Sequence, residues 1–264
     1  MSGEVDVARA AAVRGGEVAL EHARAGVRAE WKAVGDVVTA ADRAVQATIA
    51  EVIAAAYPDD VVVGEEGGPP PSEAALAGVR RWYVDPIDGT SNFLKGRHWW
   101  GVSVGFCAAD DVLTAGVIAL PVLGELFTAT RGGGALRNDE PVTCSAVTDF
   151  AEALCTSGFP GAAALAEHSE ANLEAWRAVL RRALSVRATG AIAPDWCDVA
   201  CGRSEGSWTR TVGRWDIAAA TVIAREAGAV VTDFTGAPIT GPATSGLAAA
   251  PGIHAELLAL VTGP

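Results

Sequence analysis

Trp82-Tyr83-Val84-Asp85-Pro86-Ile87-Asp88-Gly89-Thr90-Ser91 is the stretch from which the fold is read. Three bulky residues make a buried strand whose carboxyl end delivers Asp85, and Pro86 fixes the backbone there. Asp88 follows three positions on, so a turn after the strand brings both carboxylates to one side. Two carboxylates with a backbone carbonyl between them form a hard oxygen site suited to magnesium and not to zinc. Gly89 permits the close backbone approach that a phosphate needs, beside the amides and hydroxyls of Thr90 and Ser91. Taken singly, Asp-Pro and Asp-Gly are ordinary turn dipeptides. The weight of the reading therefore rests on what the rest of the chain supplies.

Upstream, residues 4–30 carry apolar spacing near a helical period, and a break from Lys32 to Thr39 contains Gly35. A second helix is expected from about Ala41 to Ala56, with Val45, Ile49, Val52 and Ile53 on one stripe and Pro58 beyond its end. Its Asp42 reads equally well as a helix cap. Val61-Val62-Val63 is a short strand running into Gly64-Glu65-Glu66-Gly67. Paired glutamates are usually solvated surface, but at a strand end beside glycines they are candidate ligands.

Downstream, strands are expected at Trp99 to Cys107, Val112 to Ala119 and Glu125 to Ala129. The second half alternates. Strands at Ala153 to Thr156, Ser185 to Arg187, Ser207 to Val212 and Ala229 to Thr232 are interleaved with helices at Glu167 to Leu184, Ile192 to Cys201 and Ile217 to Ala227. Trp215-Asp216-Ile217-Ala218-Ala219 sets Asp216 at a helix start, where capping alone also accounts for it. The expectation is one α/β (α+β) domain over residues 1–264, with halves of about 1–148 and 149–264 packed as a layered unit.

Composition narrows the functional classes. The 264 residues are half apolar and carry a formal net charge of -12. A polyanion would be repelled by that field, and the densest basic clusters are only the pairs Arg80-Arg81 and Arg181-Arg182, so no nucleic-acid partner is expected. Five cysteines without CxxC spacing read as reduced, mostly buried thiols. The acidic N-terminus does not resemble a secretion signal, and no apolar run approaches the ~20 residues needed to span a bilayer. A soluble, cytoplasmic protein without a membrane partner is expected. His22, His98, His168 and His254 all fall outside the motifs, which argues against histidine catalysis.

Asp36-Val37-Val38-Thr39-Ala40-Ala41-Asp42, Gly64-Glu65-Glu66, the run D-P-I-D-G-T-S-N-F from Asp85 to Phe93, and Trp215 to Ala219 occur in this order, each at an element boundary. In these motifs, and over nearly the whole chain to about Ala229, the sequence resembles the inositol monophosphatase family of magnesium-dependent, lithium-sensitive phosphatases. The resemblance implies a layered αβαβα sandwich, a homodimer, and two to three Mg2+ ions. It implies a first ion on Glu65, Asp85 and the Ile87 carbonyl, a second on Asp85, Asp88 and Asp216, and a weaker third near Glu65. The implied catalytic set is Glu65, Asp88, and Thr90 supported by Asp42, with Gly89, Thr90 and Ser91 on the phosphate. Lys32 falls where relatives place a basic residue near the metals.

The expected activity is hydrolysis of a small phosphorylated metabolite: an inositol monophosphate-like compound, histidinol phosphate, or a sugar or nucleotide monophosphate. One departure bears on the substrate. Relatives that hydrolyse inositol phosphates carry a glutamate seven residues before the aspartate of the Trp-Asp motif, and here that position is Thr209. Thr209 and Arg210 are therefore candidate substrate contacts. Arg210 or Arg214 would serve an alternative, a phosphatase of 3'-phosphoadenosine 5'-phosphate or fructose 1,6-bisphosphate, through charge-assisted pairs with a second phosphate; both arginines read equally as surface. Trp196 and Trp208 are either core or a stacking platform for a flat group. An alternative of another class, a non-catalytic partner of the transcription machinery, stands beside these.

Overall fold

The computed structural model describes residues 3–33, 36–68, 71–157, 165–210 and 212–263. It opens with α1 (Glu4–Ala25), the hairpin β1 (Ala29–Ala33) and β2 (Asp36–Thr39), and α2 (Ala40–Ala56). A seven-stranded sheet follows in the sequential order β3 (Val61–Gly64), β4 (Arg81–Asp88), β5 (Gly101–Cys107), β6 (Leu113–Leu120), β7 (Glu125–Thr130), β8 (Gly134–Arg137) and β9 (Glu140–Val142). Only the β3–β4 pair in it is parallel. Short helices α3 (Glu73–Leu76) and α4 (Thr90–Leu94) interrupt this run. The second half builds a five-stranded sheet from β10 (Leu154–Ser157), β11 (Ser185–Arg187), β12 (Gly206–Thr209), β13 (Val230–Thr232) and β14 (Gly246–Ala249), ordered β11-β10-β12-β14-β13. Its helices are α5 (Leu165–Leu180), α6 (Ile192–Ala200), α7 (Arg214–Glu226) and α8 (His254–Thr262).

Strand periodicity assigns the layers. Trp82 and Val84 of β4, with Val102 and Val104 of β5, face α1 and α2, where Ala8, Ala12, Val45, Ile49 and Ile53 complete one core. Tyr83 and Ile118 belong to a second core together with α6, α7 and Ala248 of the second sheet. The other face of that sheet, including Cys155, Trp208 and Leu247, packs with Val179 of α5 and Leu257 of α8. Helices, sheet, helices, sheet, helices: this is the αβαβα sandwich expected from the motifs. Among the described residues no helix is long and apolar enough to cross a membrane.

The helix α7 comes unusually near the first sheet. Gly105 and Gly116 face one another across β5 and β6. A Cβ on Gly105 would lie 2.8 Å from the Ala219 nitrogen, and one on Gly116 would lie 2.4 Å from the Ala219 oxygen. Helix backbone thus rests on sheet backbone. At the outer end of β4, Asp60 accepts from Arg80 Nε at 2.9 Å and from Trp82 Nε1 at 2.8 Å, tying the turn after α2 to the strand.

Several elements were not foreseen. The segment expected as a break pairs as the hairpin β1–β2. Strands β8, β9 and β14 and helices α3, α4 and α8 are additional, mostly too short to carry a periodic signal. The first helix ends at Ala25 instead of residue 30, and Gly26 caps it with φ 92°.

Overpacking the glycine window is expected to be costly: Gly116→Ala should destabilise the fold by about 1–3 kcal/mol or more, read as a lower midpoint in denaturant unfolding. An unchanged midpoint would mean that α7 can lift off the sheet freely.

Candidate active site

Four segments converge at the carboxyl end of β4. In a regular strand, residues three apart face opposite sides. The β4 ladder continues past Asp85 to an Asp88–Gly101 pair, but its register shifts between Asp85 and Asp88. Such a bulge re-aims side chains, and both carboxylates come within electrostatic reach of Asp216. The strand therefore does not stop at Asp85, as the sequence suggested; an irregularity inside it does what a turn was expected to do. Asp85 Oδ1 also accepts from the Ile87 amide at 3.0 Å, which fixes the local bend.

Glu65 follows β3, whose Gly64 pairs with Val84, and the Glu65 amide donates to the Val84 carbonyl at 3.2 Å. This puts Glu65 beside Asp85. Asp216 occupies the first turn of α7, where its Oδ2 accepts from the Gly213 amide at 2.8 Å. Ser103, the partner of Asp85 across the ladder, donates through Oγ to the Trp215 carbonyl at 3.3 Å, so the helix start is fastened to the strand that flanks Asp85.

Asp42 is fully buried on α2. Its Oδ2 accepts from the amide and hydroxyl of Thr39 at 2.7 and 2.6 Å, and its Oδ1 faces Thr90 Oγ1 at 3.2 Å. Thr90 Oγ1 also lies 3.1 Å from the Ile87 carbonyl. Thr39, Asp42 and Thr90 thus form one chain, in which Thr39 was not singled out from the sequence. Its signal was its place as the residue before a helix, where Ala41 N donates to its Oγ1 at 3.1 Å.

Gly89 adopts φ 91° at the start of α4, and a Cβ there would stand 2.9 Å from Ala191 Cβ and 3.1 Å from the Trp99 carbonyl. Only glycine fits both the conformation and the approach. Ser91 is exposed and Thr90 partly so. A second feature unforeseen from the sequence is the start of α6: Asp88 Oδ2 accepts from the Ala193 amide at 2.5 Å. Asn92 Nδ2 donates to the carbonyls of Trp99 and Thr189 at 2.7 and 2.9 Å, clamping α4 to the loop before α6. Buried Asp195 accepts from Trp99 Nε1 at 2.9 Å and Thr189 Oγ1 at 2.6 Å within the same clamp.

Other candidates are placed elsewhere. Arg210 donates to the Val261 carbonyl at the end of α8 and lies 4.7 Å from the Phe234 ring centroid, so its guanidinium is committed within the second sheet's surroundings and is not brought to the acidic group. Arg214 lines a polar cleft with Arg81, Asp110 and Asp111. Thr209 is buried in β12, paired with Gly246. Trp196 and Trp208 are core, each fully buried, and have no face to offer a ligand. His98 is exposed. The side chain of Lys32 and the whole of Thr211 lie outside the described residues.

The electrostatics are those of crowded anions. Burial raises the Asp85 pKa well above the carboxylate range, and Glu65, Asp216, Asp88 and Asp42 raise it further. Burial, then Asp216, does the same to Asp88, against the Ala193 amide that lowers it. Burial raises Asp216, while hydrogen bonds it accepts from the Gly213 amide and the Asp85 carboxyl oppose the rise. Burial lifts Asp42 also, opposed by Thr39. Among the described residues no three His, Cys, Asp or Glu side chains already close on one ion-sized point. The donors are nonetheless all hard oxygens, and mutual repulsion of this kind is relieved by a hard divalent cation. By donor chemistry the residues fit magnesium.

These shifts carry a sign. A carboxylate whose folded pKa is raised stabilises the fold below its unfolded value and withdraws that contribution as pH climbs through the folded value. Metal-free protein should accordingly lose thermal stability as pH climbs from about 4, the ordinary carboxylate range, through about 7, the value to which burial pushes Asp195 and Asp216. Magnesium should flatten the slope, and Asp85→Ala should raise the metal-free midpoint at neutral pH. Calorimetry across that range checks this, and a level metal-free profile would refute it.

Comparison with known proteins agrees with the fold. The pattern of the inositol monophosphatase family matches residues 3–262. A Vibrio cholerae protein named Nus factor SuhB is 34% identical over 230 residues, covering 86% of this chain and 84% of that one. An inositol-1-monophosphatase from Synechocystis is 35% identical over 223 residues, covering 84% and 76%. The crystal structure of extragenic suppressor protein suhB from Bartonella henselae superposes with a TM-score of 0.89 at 30% identity, over 99% of each chain. The chain belongs to the inositol monophosphatase family.

Proposed function

We propose that this protein is a Mg2+-dependent phosphomonoesterase acting on a small phosphorylated metabolite. The observation that carries the reading is the convergence of four segments at the end of β4: Asp85 and Asp88 on the bulged strand, Glu65 tied to Val84, Asp216 on the helix start fastened to Ser103, and Asp42 bonded to Thr90. Glu65, Asp85, Asp88, Asp216 and the Ile87 carbonyl are the proposed ligands. Magnesium supplies charge neutralisation of phosphoryl oxygens and a water acid enough to act as nucleophile near neutral pH.

The protein's own groups do the rest. Thr90 Oγ1 orients the attacking water and passes its proton to Asp42 Oδ1, which the two hydrogen bonds from Thr39 hold in place. The backbone of Gly89, Thr90 and Ser91 receives the phosphate. Asp88, braced by the Ala193 amide, keeps the start of α6 against that turn. No covalent phosphoenzyme is needed. The leaving alcohol is unspecified: the neutral, buried Thr209 replaces the acidic residue that inositol-specific relatives carry, and the engagement of Arg210 speaks against a second-phosphate contact there. Family membership also supports lithium inhibition and a homodimer.

A magnesium-dependent phosphate-release panel of sugar, inositol, nucleotide and amino-alcohol phosphates tests the reading. Asp85→Ala and Asp216→Ala should each reduce turnover to background while the far-UV circular dichroism is kept. Unchanged rates in both would remove the site assignment. A second reading, regulatory binding to the transcription machinery, is favoured by the name Nus factor carried by the Vibrio relative. Asp88→Asn separates the two: a biological role that survives loss of turnover assigns it to binding.

A further inference from the structure

We propose that Gln46 is a positioning residue for the Glu65 loop, and that α2 indexes this loop and the Thr90 turn to each other. The inference rests on the reading of Glu65 as a magnesium ligand. Gln46 Nε2 donates to the Glu66 carbonyl at 2.5 Å, and its Oε1 accepts from the Glu66 amide at 2.8 Å. One side-chain amide therefore imitates a strand partner and takes both backbone groups of the residue next to Glu65. On the other flank, the Glu65 amide is held by Val84. Glu65 is pinned from both sides.

The fit leaves no spare room. A Cβ on Gly64 would stand 2.2 Å from Gln46 Oε1 and 2.4 Å from its Cδ, so the amide lies directly against the strand end. Beyond the clamp, Gly67 and Gly68 adopt φ of 111° and 113°, conformations open mainly to glycine, so the chain turns away directly after Glu66. An amide is also the chemistry required. A carboxylate at position 46 would accept from the Glu66 amide but could not donate to its carbonyl, and it would add charge where Glu66 already raises the Asp42 pKa.

Gln46 and Asp42 are four residues apart on α2, one helical turn and about 6 Å of rise, on the same face. Asp42 holds Thr90, Gln46 holds Glu66, and Val45, Ile49 and Ile53 lock the helix into the core. The spacing between the Glu65 and Thr90 segments is thereby set by a helix that itself contributes no metal ligand.

Titration calorimetry of the metal-free protein with Mg2+ alone tests this. Gln46→Ala, and Gln46→Met, which keeps the length but loses both hydrogen bonds, should weaken binding about 10–100-fold. The metal-free unfolding midpoint should stay near that of the wild type, since Gln46 is only partly buried. Gly64→Ala should weaken binding similarly. Combined with Gln46→Ala it should add little, because both break one clamp. Wild-type binding with undiminished binding in both Gln46 variants would overturn the inference. If the wild type itself binds no Mg2+, the metal reading fails first.

Discussion

Anionic crowding is the constraint around which this molecule is arranged. Asp42, Glu65, Asp85, Asp88 and Asp216 are held near one another and largely out of water, an arrangement that opposes folding unless protons or cations offset it. No single element could hold them. The carboxylates come from α2, the end of β3, the end of β4 and the start of α7, so elements from successive layers meet at one corner. The sandwich is the means by which remote acidic groups are forced together, and its cores supply the free energy that the corner withdraws.

Each of the segments that carry Asp216, Asp88, Asp85 and Glu65 has a backbone group as a restraint. Asp216 is tied to Gly213, Asp88 to Ala193, Asp85 to Ile87, and the Glu65 loop to Val84. Hydrogen bonds to a carboxylate favour its charged form, so the contacts of Asp216, Asp88 and Asp85 partly offset the burial that penalises it. They also fix orientation without introducing cations that would compete with a metal. Among the described residues no ion pair involves Asp42, Asp85, Asp88 or Asp216, although the surface has several, such as Arg9–Asp139 and Arg203–Glu125.

Much of this was legible in the sequence because the signals are local. The strand before Asp85, the glycines around Glu65 and the helix after Asp216 all lie at element boundaries, where hydrophobic period and turn chemistry agree. What was missed was non-local or short. The bulge within β4 has no distinct residue signature, since Asp-Pro-Ile-Asp reads as a turn. The contact of Asp88 with α6 spans 105 positions, and the Asn92 clamp to Thr189 spans 97. The fate of Arg210 was likewise invisible: nothing near it announces that Val261, 51 residues on, would take its guanidinium. Trp196 and Trp208 show the reverse, since an aromatic side chain near a motif is more often mass for the interior than a surface for recognition.

Because α7 lies on bare main chain at Gly105 and Gly116, its height above the sheet is set by peptide atoms that substitution cannot trim. The depth of Asp216 is consequently insulated from ordinary core drift. Substitutions in β12 and the connections around it, where the buried Thr209 sits, do not touch this contact. The placement of the acidic corner and the make-up of the neighbouring sheet can thus drift independently within one chain.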